Sequence, residues 1–129
     1  MRVFWISRHA LTEGQTRLVE QNYGVSIEDV VRANITFPYN KNAVDDLEKI
    51  GVRKSDLICI VAPTYVMVDL LNAEYRLLEF VNEPSSRQRG KFLCRGAFEY
   101  MIEIPEKGIV KRFIPCPLSL EEQEEVDLM

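Results

Sequence analysis

This chain of 129 residues lacks the segments by which several protein classes are recognised. It has no apolar run near the roughly 18 residues that a transmembrane helix needs, and its N-terminal apolar stretch is too short for a signal peptide. Its six glycines and six prolines are too few for a linker-rich or fibrous chain. We therefore expect one folded, cytoplasmic domain that does not associate with a membrane.

Metal-ligating residues are also scarce. The three cysteines, Cys59, Cys94 and Cys116, are odd in number, lie far apart and form no C-x-x-C pair, so they indicate neither a disulfide framework nor a zinc site. The chain has a single histidine, His9. The sequence therefore predicts no metal site and no cofactor, and it predicts reduced cysteines that serve as packing residues.

The formal charge of −4 is concentrated at the C-terminus. Residues 119–129 hold five acids and no base, and removing them leaves 16 basic and 15 acidic residues. Such a body can hold a local basic site for a small phosphorylated ligand, but it is not basic enough to coat long duplex nucleic acid. We expect a domain of residues 1–118 and an acidic tail of residues 119–129, which either begins a short helix or frays.

Hydrophobic patterning predicts alternating strands and helices over the first ~75 residues. The predicted strands are Val3–Ile6, 30–37 and 57–61, and the predicted helices begin near residues 12, 38 and 63. The run 57–61 has no polar alternation, which is typical of a strand buried on both faces of a parallel sheet. We expect a Rossmann-like α/β fold in which Val3–Ile6 and 57–61 are adjacent parallel strands.

The C-terminal third has a different pattern. Residues 75–81 fit a continuing helix and a strand equally well, and both alternatives stay open. Residues 92–104 and 109–114 flank a turn-forming segment at 105–108, which predicts an antiparallel hairpin.

The turn after the first strand carries candidate functional groups. Ser7, Arg8 and His9 offer a hydroxyl, a fixed cation and a titratable ring, and ligands of open α/β sheets bind beyond the carboxyl ends of the strands. The structural alternative is that Ser7 and Thr12 only cap the helix, while Arg8 is solvated and His9 packs or points to water. The sequence is compatible with both.

Two further segments are candidate ligand contacts. Pro63, Thr64 and Tyr65 follow the buried third strand and would face the first turn if the two strands are neighbours. Arg87 and Arg89 lie in a polar loop that could clamp a phosphate. The structural alternatives are a helix cap beside a packed aromatic side chain and a solvated surface loop.

The segment Arg8-His9-Ala10-Leu11-Thr12 resembles the R-H-G-x-T motif of histidine phosphatases, in which the histidine is phosphorylated and the arginine holds the phosphoryl group. That mechanism needs a second histidine, which this chain does not have, and Ala10 replaces the glycine of the motif. We therefore set a phosphatase activity aside.

The same segment also resembles a group of small CRISPR-associated proteins related to the CARF sensor domains, including ring nucleases that degrade cyclic oligoadenylates. The likeness consists of a strand, a Ser-Arg-His turn and an L-T-x-x-Q motif, here Leu11, Thr12 and Gln15. It implies a Rossmann-like protein that acts on a cyclic oligonucleotide. Because a two-fold ring suits a two-fold dimer, we expect a homodimer. The expected catalytic residues are Arg8, which would stabilise the charge on the phosphate, and His9, which would act as general acid or base. The ligand-binding candidates, from this resemblance and from the turns and the loop, are Ser7, Thr12, Gln15, Pro63, Thr64, Tyr65, Arg87 and Arg89.

Our leading hypothesis is that a homodimer binds a cyclic oligoadenylate and cleaves it slowly without metal. The ribose 2′-hydroxyl can attack its own phosphodiester when it is held in line, so the protein need supply mainly positioning, charge and proton transfer. One alternative is a non-catalytic nucleotide- or phosphate-binding sensor or sequestering module that uses the same turn. Another is an interaction protein that docks a partner through its acidic tail or C-terminal hairpin.

Overall fold

A computed structural model describes residues 1–7, 9–26, 29–33, 43–102 and 108–126. The strands are β1 (Val3–Ile6), β2 (Val30–Ala33), β3 (Leu57–Ile60), β4 (Arg76–Pro84), β5 (Phe92–Ile102) and β6 (Ile109–Pro115). The helices are α1 (Glu13–Tyr23), α2 (Ala43–Lys49), α3 (Thr64–Asn72) and α4 (Leu120–Val126). These strands form one mixed sheet in the order β2-β1-β3-β4-β5-β6, which confirms the Rossmann-like α/β fold class.

The first four strands form the parallel half of the sheet. β1 pairs with β2 and β3, and β3 pairs with β4. The predicted adjacency of Val3–Ile6 and the third strand is confirmed, and every residue of β1 and β3 is buried, as expected for strands covered on both faces. The predicted strand 30–37 is observed over Val30–Ala33, while residues 34–42, including the predicted helix start near residue 38, lie outside the described residues.

Helix α1 begins and ends where the sequence predicts. The Thr12 side chain accepts a hydrogen bond from the Gln15 N–H at 3.3 Å, and the Thr12 N–H donates to Gln15 Oε1 at 3.0 Å, which together form a capping box. Gly24 ends the helix at a φ of +64°, a left-handed conformation that glycine adopts without strain, and its N–H donates to the Glu20 carbonyl. The apolar face of α1, which includes the buried Leu18, packs against the sheet.

Residues 75–81, whose sequence pattern fits a helix and a strand equally well, belong mainly to strand β4. The chain leaves α3 through Glu74, whose φ of +70° is incompatible with a continuing helix. β4 then pairs in parallel with β3 and antiparallel with β5. Because both faces of β4 are covered at this point, Leu77 and Leu78 are both fully buried, and the alternation that would identify a strand is lost.

Strands β5 and β6 form the predicted antiparallel hairpin. Residues 103–107, which include most of the predicted turn at 105–108, lie outside the described residues. The sheet is therefore parallel from β2 to β4 and antiparallel from β4 to β6.

Helices cover both faces of the sheet. α1 packs on the face that carries Trp5 and Cys59, whereas α2 and α3 pack on the opposite face with Phe4 and Ile60. α4 contacts β5 and α1, so the acidic C-terminal segment takes the helical alternative over Leu120–Val126.

A buried carboxylate links three elements near the start of β4. Glu99 is 3% exposed and accepts hydrogen bonds from the Tyr23 hydroxyl, from Arg76 at 2.7 Å and from Arg112 at 3.1 Å. Burial raises the pKa of Glu99, but these hydrogen bonds and the charge of Arg76 outweigh burial and hold the pKa below its ordinary value. Burial and the adjacent carboxylate raise the pKa of Tyr23, so at neutral pH a neutral phenol donates to an ionised carboxylate.

Candidate functional site

The carboxyl ends of β1 and β3 lie where the connections of the sheet diverge. From β1 the chain passes through α1 to β2 on one side, and from β3 it passes through α3 to β4 on the other. This arrangement is a topological switch point, and open α/β sheets bind ligands in the crevice that such a point opens. Because Ile6 pairs with Ile60, the turns that begin at Ser7 and Val61 leave the sheet at this point.

Hydrogen bonds to the backbone hold the turn after β1. Trp5 Nε1 donates to the His9 carbonyl at 2.6 Å, and the His9 N–H donates to Ser7 Oγ at 3.1 Å. Trp5 is buried and packs edge-on against Phe80, with 5.6 Å between the ring centroids. The backbone of His9 is therefore anchored on both sides, while His9 itself is exposed. Arg8, predicted to be catalytic, lies outside the described residues.

A cavity of about 540 Å³ opens beside this turn, within the range of small-ligand sites. We call it the switch-point cavity. It joins the turn after β1, the first turn of α1, the end of the β4–β5 loop and α4. Its lining residues are His9, Leu11, Thr12, Glu13, Gly14, Gly90, Lys91, Phe92, Leu93 and Gln123. Of the predicted site residues, His9 and Thr12 are in this set.

Lys91 and Phe92 are candidate ligand contacts that the sequence reasoning missed. Lys91 brings an ammonium group to the switch-point cavity, where its Nζ donates to the Gln123 carbonyl at 2.9 Å. Phe92 is 54% exposed and forms another part of the wall. Both residues follow the loop after β4, and that loop lies at the ligand edge of the sheet only because β4 is a strand parallel to β3. The sequence pattern of residues 75–81 fits a helix and a strand equally well, so it does not predict that Lys91 and Phe92 lie at this edge.

Thr12 and Gln15, both predicted ligand contacts, have structural partners. Their side chains form the capping box of α1, and Gln15 Nε2 donates to Asn82 Oδ1 at 3.3 Å. Gln15 is 5% exposed and is not among the described residues that line the switch-point cavity. Thr12 does line it, together with Glu13 and Gly14 of the first turn of α1. The Gln15 N–H donates to Thr12 Oγ1, so the N–H groups that a helix N-terminus offers to an anion are those of Glu13 and Gly14.

Gln123 attaches α4 to the wall of the switch-point cavity. Its Oε1 accepts a hydrogen bond from the Cys94 N–H at 2.7 Å, and its Nε2 donates to the Cys94 carbonyl at 2.8 Å. The side chain thus bonds to both backbone groups of Cys94, as a neighbouring strand would. With Lys91 bonded to its carbonyl, Gln123 links α4 to β5 and to the loop before β5.

Gly14 lies where α1 passes close to Gln123, and this approach requires glycine. A methyl group on Gly14 would lie 2.6 Å from Gln123 Cδ and 3.1 Å from Cys94 Cβ. We expect Gly14→Ala to lower the free energy of unfolding by about 1–2 kcal/mol, because overpacking outweighs a helix-propensity gain of about 1 kcal/mol. Chemical denaturation measures the change.

The double variant Gly14→Ala/Gln123→Ala is the control for this prediction. Truncating Gln123 removes the group that the added methyl meets, so the double variant should lose less stability than the sum of the two single changes. A Gly14→Ala variant that is more stable than the wild type, as at an exposed helical glycine, would contradict the close approach.

Pro63, Thr64 and Tyr65 lie at the same edge of the sheet but outside the described wall of the switch-point cavity. All three are exposed; Pro63 is the N-cap of α3 and Thr64 is its first residue. Since α3 packs on the face opposite α1, this turn borders the switch point from the other face. Only a ligand that crosses the carboxyl ends of the strands, from one face of the sheet to the other, would contact both turns.

Arg87 and Arg89 are exposed in the loop between β4 and β5. Ser85 Oγ accepts the Arg87 N–H at 3.1 Å and donates to Glu124 Oε1 at 2.7 Å, which fastens the loop to α4. Arg87 lines a second cavity of about 280 Å³, whose wall includes three glutamates. Arg89 precedes Gly90, which lines the switch-point cavity. Arg87 and the segment after Arg89 therefore lie beside different cavities.

The cysteines have the structural role that the sequence predicts. All three are free, and Cys59 and Cys94 are fully buried. Burial raises the pKa of Cys94 to about 12, with a smaller contribution from the neighbouring Cys116. In the described ranges, no three His, Cys, Asp or Glu residues are grouped so that they could hold a metal ion.

Comparison with protein-family models, curated proteins and solved structures finds no match for this chain. Its function must therefore be inferred from the chemistry of the switch point and its cavity. Of the helices in the described part of the chain, none is long and apolar enough to cross a bilayer.

Proposed function

We propose that this protein binds a cyclic oligonucleotide at the switch point and cleaves it slowly without a metal ion. The proposed ligand is a cyclic oligoadenylate. The observation that carries the proposal is the place of His9: its backbone is anchored, it is exposed, and it lines a cavity at the carboxyl end of β1. A titratable ring at the ligand edge of an open α/β sheet is suited to proton transfer.

The proposed reaction uses the nucleophile that the ligand already contains. The ribose 2′-oxygen bonds to phosphorus while the P–O5′ bond breaks, which leaves a 2′,3′-cyclic phosphate and a 5′-hydroxyl. His9 takes the proton of the 2′-hydroxyl, and water protonates the departing 5′-oxygen. The protein then need only hold the attacking and departing oxygens in line and stabilise the developing negative charge.

Charged and polar groups around the cavity support phosphate binding. Lys91 brings a positive charge, and the first turn of α1 presents backbone N–H groups. The one carboxylate of the described wall, Glu13, is ion-paired with Arg17 at 3.1 Å. Ser7 and Thr64 are assigned to further phosphates, one from each turn at the switch point. Arg8 is assigned from the sequence to stabilise the charge on the reacting phosphate.

The size of the switch-point cavity bears on how a ring would bind. At about 540 Å³ it has the volume of a site for one small ligand rather than for a ring of several nucleotides. We assign one cavity to each half of a two-fold ring, so that a homodimer presents two cavities to one ligand.

The second candidate is a non-catalytic nucleotide- or phosphate-binding module. It is favoured by the phosphate-binding groups of the cavity, because Lys91 and the first turn of α1 can hold an anion without any proton transfer by His9. In this alternative the same cavity binds the ligand and releases it unchanged.

A binding screen with product analysis tests the proposal. The wild-type protein is incubated with cyclic tri-, tetra- and hexaadenylate and with linear oligoadenylates, in the presence of a chelator. We expect one cyclic ligand to raise the melting temperature, with about 2.7 kcal/mol of stabilisation at 100 times its dissociation constant, and to yield linear products that end in a 2′,3′-cyclic phosphate.

The outcomes separate the two candidates. A cyclic ligand that binds and is recovered intact identifies the non-catalytic module. If none of these oligoadenylates shifts the melting temperature, the assignment of the ligand class is wrong.

A further inference from the structure

Two phenylalanines of the β5–β6 hairpin, one on each strand, are exposed to a similar extent but have different surroundings. Phe113 is 49% exposed and packs against Phe98, with 5.2 Å between the ring centroids, and Lys111 lies over the Phe98 ring at 4.0 Å. Phe92, at 54% exposed, instead forms part of the wall of the switch-point cavity. The exposed ring of Phe92 is therefore available to a molecule in that cavity.

The groups beside Phe92 restrict the chemistry of such a molecule. Lys91 precedes it and lines the same cavity with its cationic side chain, and His9 lines it as well. A ligand that uses all three side chains has a flat aromatic part and an anionic part close together. A nucleotide has both, since a base stacks on an aromatic ring while its phosphate meets cationic and proton-donating groups.

We propose that Phe92 is a nucleobase platform, on which the base of one nucleotide stacks while its phosphate faces Lys91 and His9. This inference rests on the proposed function and adds a recognition element to it. Stacking depends on the π-face that every base presents, so Phe92 separates ligands with a base from ligands without one. The cavity of about 540 Å³ has room for one such unit.

The test compares two probes that differ by the base alone, adenosine 5′-monophosphate and ribose 5-phosphate. Binding is followed by calorimetry and by the fluorescence of Trp5, the single tryptophan of the chain, whose indole bonds to the His9 carbonyl. We expect the wild-type protein to bind adenosine 5′-monophosphate about tenfold or more tightly than ribose 5-phosphate.

Variants assign that preference to one ring. Phe92→Leu should lose the preference and keep the wild-type affinity for ribose 5-phosphate, whereas Phe92→Tyr, which retains the ring, should keep both. Phe113→Leu is the matched control, because it removes a similarly exposed ring outside the described wall of the cavity, and it should bind as the wild type does.

The results distinguish failure of the platform from failure of the site. The platform is overturned if the wild-type protein binds the two probes equally. It is also overturned if the preference survives in Phe92→Leu or disappears in Phe92→Tyr. Each of these results leaves the proposed phosphate site unaffected. If neither probe binds the wild-type protein, both the platform and the proposed nucleotide site are overturned.

Discussion

Replacing His9 with alanine should lower the single-turnover rate of cyclic oligoadenylate cleavage by about 10²-fold or more, because the variant cannot take the proton of the 2′-hydroxyl. Affinity should fall far less than the rate, since Lys91 and the first turn of α1 also hold the ligand phosphates. The described hydrogen bonds of His9 to Trp5 and Ser7 use its backbone N–H and carbonyl, which alanine retains, so we expect the fold to survive. Rapid-quench kinetics with a chelator measure the rate, and calorimetry measures the affinity.

Imidazole added to the His9→Ala reaction provides a control for proton transfer. It should restore part of the lost rate if the side chain acts as the base, and it should have no effect if the side chain only shapes the turn. A His9→Ala variant that cleaves at the wild-type rate would rule out proton transfer by this residue.

The substitution Glu99→Gln should lower the free energy of unfolding at neutral pH by about 3 kcal/mol, because it removes the charge that compensates Arg76 in a buried pair. The estimate takes the lower end of the usual range, since the Arg76 and Arg112 side chains are 30% and 65% exposed. Glu83→Gln is the matched control: Glu83 bonds to Arg95 at 2.5 Å between side chains that are 31% and 58% exposed, so its loss should cost less than about 1 kcal/mol.

The effect of Glu99→Gln should also depend on pH. The folded-state pKa of Glu99 lies below its ordinary value, so its contribution is fully present above the unfolded-state pKa of about 4.3 and is lost as the pH falls through the folded-state pKa. The stability difference between wild type and variant should therefore shrink on acidification. Urea denaturation at pH 7 and at acidic pH measures it; a difference that stays constant would contradict an ionised Glu99.

The parallel half of the fold could be predicted because its local signals agree with its packing. The apolar runs of β1 and β3 are unbroken, and the segment from Thr12 to Gln15 shows the capping box directly. Gly24 marks the end of α1, where a left-handed residue is needed. These signals place the turn with Ser7 and His9 at the switch point without knowledge of any tertiary contact.

The other wall of the switch-point cavity could not be predicted, because it depends on long-range contacts. Leu77 and Leu78 are buried on opposite faces, so the pattern of β4 resembles that of a helix as closely as that of a strand. Without β4, nothing brings Lys91 and Phe92 to the turn after β1. Gln123 is a polar residue in an acidic segment, and its burial follows only from its hydrogen bonds to Cys94 on β5.

The position of a bound ligand tests the proposal most directly, through a crystal structure of His9→Ala with a cyclic oligoadenylate that the variant binds but does not cleave. We expect a phosphodiester beside residue 9 and the first turn of α1, with one base over Phe92 and its phosphate near Lys91. A ligand seated away from the carboxyl ends of β1 and β3, for example against Arg76 and Arg112, would contradict the site and the function built on it.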